Sequence, residues 1–149
     1  ISNSNYKLLL LKLLLNELPE NTYYSYSLGF GHKLKSDLCS ALTNKFSDYD
    51  QVHVISASFT SYIKIALDDF HVITNGTSEI VDGFRCLHGS EKYRCAYNLL
   101  KNIDNIEQVD AYGDSKSDLA LLPVVDKFFL IKNCQVIKVI EGFRKSREN

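Results

Sequence analysis

The apolar and polar positions along the chain change rhythm several times, and each change predicts an element. Asn5 to Leu18 is rich in leucine and reads as a helix that closes before Pro19. Glu20 to Gly31 mixes Tyr, Ser and Gly, which predicts a loop. Ser36 to Phe46 reads as a helix with Ser36 as its N-cap. Gln51 to Ser56 (QVHVIS) is a β-branched run of strand length that stops at Ser56-Ala57-Ser58. A helix follows over Thr60–Leu67, then a short strand over His71–Thr74. Ser78 to Phe84 suggests a small hairpin turning at Asp82-Gly83. Further on, Ser90–Ile103 reads as a helix capped by Ser90, and Gln108–Tyr112 as a strand. Ser117–Val125 reads as a helix, with strands at Lys127–Ile131 and Val136–Ile140.

Strands alternating with helices predict an α/β fold with a parallel sheet covered by helices on both faces. The chain has 149 residues, enough for one sizeable core, with 45% hydrophobic and 23% charged residues. A net charge of -1 supplies no electrostatic case for nucleic acid. The basic tail EGFRKSREN is explained by a short solvated end. Leu8–Leu15 (LLLLKLLL) is far below the roughly 18 apolar residues a bilayer span needs, so no membrane segment is expected. Cys39, Cys86, Cys95 and Cys134 form no C-x-x-C pair, and no nearby His completes a zinc spacing. Free thiols in a reducing cytoplasm are the expectation. His32, His53, His71 and His88 have no evident partner.

Candidate chemistry gathers at strand ends, where open α/β sheets bind their ligands. Ser56 ends one strand, and its hydroxyl together with the Ala57 backbone could hold a phosphate oxygen. A plain turn serine fits the same letters. Lys92 stands in the first turn of the Ser90 helix, where the macrodipole disfavours a cation unless an anion is near. A surface lysine is the plainer alternative. In AYGDSKSDLALL, Asp114 follows a strand and Asp118 comes one helical turn later. Two converging carboxylates suit a hard divalent cation such as Mg2+. Helix capping by Asp114 or Ser117, with Asp118 favouring the dipole, accounts for them equally well.

Taken in order, VHVISASF, GSEKYRC and AYGDSKSDLALL resemble the second, third and fourth motifs of the haloacid dehalogenase superfamily. The resemblance is to its phosphoserine-phosphatase-like branch. ITNGTSEIVDG resembles the segment that follows the second motif there, so the likeness covers about residues 31 to 133. It implies a Rossmann-like core over 35–149, with 1–34 as part of an N-terminal helical cap. It also implies Mg2+-dependent hydrolysis of a small phosphorylated metabolite through an aspartyl-phosphate. In that scheme Asp114 and Asp118 hold the metal or its waters, Ser56 donates to the phosphoryl oxygens, and Lys92 neutralises phosphate charge.

One part of the scheme has no match in the sequence. The superfamily's nucleophile and acid/base lie in a D-x-D motif ending a central first strand. Asp48-Tyr49-Asp50 precedes a strand instead of ending one, and Asp68-Asp69 is a tandem pair. The expectation is that the missing strand lies upstream of Ile1, and that these 149 residues alone are inactive. Two further expectations compete with a phosphohydrolase: a non-catalytic binding or regulatory relative, and a phosphotransferase using the same residues. Tyr23, Tyr24 and Tyr26 fit aromatic packing within a cap better than a substrate pocket.

Overall fold

The computed structural model describes residues 3–13, 15, 19–80 and 82–145. The chain divides into two compact units, Ile1–Leu87 and His88–Asn149. Both mix helices with small sheets.

In the first unit, α1 (Asn3–Lys12) and α2 (Glu20–Ser36) precede a short helix, α3 (Ser40–Thr43). Strand β1 (His53–Phe59) runs into α4 (Thr60–Ala66), and β2 (Ile73–Thr77) returns parallel to β1. Leu11, Phe59, Tyr62, Ile63, Ala66 and Leu67 form the buried core, with Tyr23, Tyr26, Leu34 and Val54 packed against it. The expected loop over Glu20–Gly31 is wrong, because those residues belong to α2. Tertiary contact overrides their weak helix propensity. Tyr23, Tyr26, Phe30 and Leu34 recur at helical spacing, and the Tyr26 and Phe30 rings meet Tyr62 of α4 at 6.3 and 5.3 Å. Gly31 permits the approach of the two helices: a Cβ there would sit 2.6 Å from the Ile65 Cβ.

The helix expected over Ser36–Phe46 is likewise replaced. Ser36 ends α2, where its hydroxyl donates to the Lys33 carbonyl at 2.7 Å, and only α3 and a 3-10 turn (Phe46–Asp48) follow. At Asp82-Gly83 there is a turn, with Gly83 at φ 71, but no strand pair flanks it among the described residues. Val81, Asn16–Leu18 and the tail beyond Lys145, all parts of sequence expectations, lie outside the described residues.

In the second unit, α5 (Ser90–Leu100) is capped by Gly89, at φ 57, instead of by Ser90. Strand β3 (Asp110–Gly113) leads into a 3-10 helix (Lys116–Val124), then β4 (Lys127–Lys132) and β5 (Gln135–Glu141). The helix expected over Ser117–Val125 is a nine-residue 3-10 helix with Pro123, which lacks a backbone donor, near its end. β3 and β4 are parallel, whereas β5 closes a hairpin antiparallel to β4 through Asn133 and Cys134, both at positive φ. The sheet is therefore mixed instead of wholly parallel. Phe128 of β4 is fully buried, α5 packs on the 3-10 helix, and Gly142 lets the chain after β5 cross the Val125 carbonyl. No disulfide joins any of the four cysteines. Among the described residues no helix is long and apolar enough to cross a membrane.

Candidate functional site

Three of the expected site residues meet in the second unit. β3 ends at Gly113, and the chain turns through Asp114 and Ser115 into the 3-10 helix. Asp118 folds back over this turn. Its Oδ2 accepts from the Asp114 amide at 3.2 Å, the Ser115 amide at 3.2 Å and the Ser115 hydroxyl at 3.1 Å. Ser115 and Asp118 together form a capping box. Gly113 makes this possible: a Cβ there would stand 2.7 Å from the Asp118 Cβ and 2.8 Å from its Oδ2.

The other oxygen of Asp118, Oδ1, accepts from Lys92 Nζ at 2.5 Å. Lys92 extends from the first turn of α5, so two separate elements deliver the ion pair. Both side chains are largely withdrawn from water, at 13% and 9% exposure. A buried pair of this kind needs its remaining hydrogen bonds satisfied, and the turn amides and Ser115 do that for the carboxylate. Burial pushes the Asp118 carboxyl up, but the Lys92 ammonium and the Ser115 donors outweigh it and hold the group below its ordinary value.

The two acids therefore do different work. Asp118 accepts three donors at Oδ2 and the Lys92 ammonium at Oδ1. Asp114 contributes its amide to the turn while its side chain stays exposed. Among the described residues, no group of three or more His, Cys, Asp or Glu side chains could hold a metal. Mg2+ itself is commonly held by one or two carboxylates, with waters and phosphate oxygens filling its remaining positions. Asp114 has an exposed carboxylate for that modest requirement, and Asp118 has its carboxylate engaged with Lys92 and the turn.

Ser56 and Ala57 belong to the first unit. Ser56 lies within β1, three residues before its end, and not at the strand terminus. It sits where the pairing with β2 becomes irregular, between Ile55 and Phe59. Its Oγ accepts from the Ser58 amide at 3.1 Å, a local serine turn. The Ala57 carbonyl accepts from Thr77 Oγ1 at 2.7 Å and from Lys7 Nζ. Both residues are half-buried.

The sequence marks Gly113 as the residue that lets the chain turn tightly after β3, whereas the capping role of Ser115 was missed although it carried a signal. Ser-x-x-Asp before an apolar run is a capping-box pattern, and a glycine before the turn hints at close approach. Sequence reasoning also missed a polar chain in the first unit. There the Tyr23 hydroxyl donates to Ser61 Oγ at 3.3 Å and Ser61 Oγ donates to the buried Ser27 Oγ at 3.0 Å. The Ser61 amide donates to Glu79 at 2.7 Å. This chain ties α2 to the start of α4. No protein-family model, curated protein or solved structure matches this chain.

Proposed function

We propose that this protein takes part in Mg2+-dependent hydrolysis of a small phosphomonoester through an aspartyl-phosphate, in the reducing cytoplasm. The observation that carries the proposal is the Lys92–Asp118 pair at 2.5 Å over the Gly113–Ser115 turn. A lysine delivered by one helix and braced by a carboxylate from another element is a preorganised cation, suited to charge that develops on a phosphoryl group. In this proposal Lys92 meets phosphate oxygens, Asp114 offers its exposed carboxylate to the metal, and Asp118 positions Lys92. Ser56 and Ala57 belong to the first unit, and the proposal rests on the residues of the second. Bound Mg2+ would supply charge neutralisation of the phosphate.

No nucleophilic carboxylate is assigned to the described Asp-x-Asp or tandem Asp pairs. Asp48 and Asp50 lie in the 3-10 turn and the bend before β1, and Asp68 and Asp69 both pair with Lys35, at 2.6 and 2.9 Å. That same observation supports a second reading, a phosphate-binding relative without turnover.

The test is a titration of the chain with inorganic phosphate in the presence of Mg2+, followed through the amide resonances of Asp114 and Ser115. The proposal expects a saturable shift that Lys92→Gln and Asp114→Asn each weaken. Absence of any saturable shift at millimolar phosphate would overturn it. An aryl-phosphate assay on the chain alone separates the parts of the proposal: no turnover is expected, and hydrolysis would show that one of its own carboxylates serves as the nucleophile.

A further inference from the structure

The hydroxyl of Ser115 is fully committed. A serine hydroxyl has one proton and two acceptor positions. The proton goes to Asp118 Oδ2 at 3.1 Å, because an ionised carboxylate only accepts. The capping box brings the Asp118 backbone amide to Ser115 as one donor. Ser115 Oγ also lies 2.9 Å from Ser117 Oγ. With the Ser115 proton spent on Asp118, only the Ser117 hydroxyl can donate in that contact. The protons therefore run one way, from Ser117 to Ser115 to Asp118, while Lys92 holds the other carboxylate oxygen at 2.5 Å. Ser117 is half-buried and Asp118 is buried.

From this we infer that Ser117 is a positioning residue of the Lys92 corner: it commits the Ser115 proton to Asp118 and so sets how firmly Asp118 holds Lys92. Resting on the proposed role of Lys92, the same chain sets how readily a phosphate oxygen can share that ammonium. A carboxylate spreads its charge over two oxygens. Donors gathered on Oδ2 favour the ionised form and leave Oδ1 a weaker partner for Lys92. Each link of a hydrogen-bond chain polarises the next, by roughly 10–30%. Without Ser117, the Ser115 hydroxyl is a weaker donor and is less fixed in rotation. Asp118 then becomes more basic and draws Lys92 more closely into the pair.

Ser117 needs no contact with phosphate to do this, and its loss differs in kind from the loss of Asp118. Removing Asp118 strands a lysine and two amides. Removing the Ser117 hydroxyl leaves the ion pair, both amide bonds and the capping box in place. The turn keeps its fold while its electrostatics change. The sequence offers Ser117 as a helix cap, but Ser115 fills that place and Ser117 stands behind it.

Two readouts on the full chain test this. The first is the pH titration of the Asp118 carboxyl carbon, which Lys92 faces as the charged group from α5. Its midpoint should rise in the order unsubstituted chain, Ser117→Ala, Ser115→Ala. Ser117→Thr keeps the donor and should return the midpoint to that of the unsubstituted chain. The second is titration with inorganic phosphate and Mg2+, in which binding should weaken about twofold in Ser117→Ala and about tenfold in Ser115→Ala. A midpoint that Ser117→Ala leaves in place, or that Ser117→Thr fails to restore, would overturn the inference. So would ordered midpoints with equal phosphate binding in all the chains. Ordered midpoints with no phosphate binding in any chain would defeat the proposed function and still support the hold of Ser117 on the ion pair.

Discussion

Each unit carries a strand through a turn and a helix to a parallel neighbour, and the two secure that turn by different chemistry. In the first, β1 reaches α4 through Ser56, Ala57 and Ser58, held by neutral contacts. Ser56 Oγ takes the Ser58 amide, and Thr77 Oγ1 donates to the Ala57 carbonyl. Behind them stands an apolar core around the nearly inaccessible Phe59. In the second, β3 reaches its 3-10 helix through a turn braced by a carboxylate that also grips a lysine. Neutral stitches tolerate loss, because each contributes little net free energy. A buried ion pair tolerates loss poorly, because removing one partner strands the other. Charge is concentrated in the second turn, which is where phosphate chemistry is proposed.

The largest effect should come from Asp118→Ala. It leaves Lys92 without its carboxylate and the Asp114 and Ser115 amides without their acceptor, so a loss of about 3 kcal/mol is expected. Hydrogen exchange resolved by unit should show lost protection in His88–Asn149, with the first unit unchanged. Equal loss in both would break the contrast. Gly113→Ala should follow, at about 1–3 kcal/mol, since the added methyl would overlap Asp118 and force it off the turn. It should weaken phosphate binding alongside Lys92→Gln, and binding unchanged by it would detach the turn from the site.

Ser56→Ala should cost only about 1 kcal/mol in thermal unfolding, the loss of one amide's acceptor. The smallest effects are in pH. Burial lowers the His53 pKa, and its Nδ1 is buried with no hydrogen-bond partner among the described residues. The unfolded chain therefore takes up the proton first, and the first unit loses stability as pH falls below about 6.5. Asp118 is shifted down, so its contribution to the second unit is complete above about pH 4 and is lost as pH falls through its folded-state pKa. Unit-resolved exchange across this range should show the first unit weakening before the second. The reverse order would contradict the assignment of charge.

Much of the second unit was legible because its signals are local. Strand, glycine, acid and helix start lie within AYGDSKSD, and β4 and β5 carry β-branched and aromatic runs. Lys92 stood out because a cation near a helix start calls for an anion, and the anion beside it in the structure is Asp118. The division of labour between the acids was not legible. It depends on Asp118 folding back over Gly113, a contact visible only in three dimensions. The first unit was harder to read for the same reason. Tyr26 and Phe30 sit on a helix that packs on Tyr62 of α4, a partner more than thirty residues away. Ser36, Ser56 and Ser90 were each read as terminal signals, yet only Ser36 and Ser90 stand at helix ends, and neither is an N-cap.

Asp118 holds Lys92 and the turn, and the proposal gives the cation to the exposed carboxylate of Asp114. The most direct measurement follows the carboxyl carbons of both aspartates while Mg2+ and phosphate are added to the full chain. The account predicts a saturable shift at Asp114, with the Asp118 carboxyl still ionised and bonded to Lys92. A shift at Asp118 on Mg2+ alone, with Lys92 released, would contradict it.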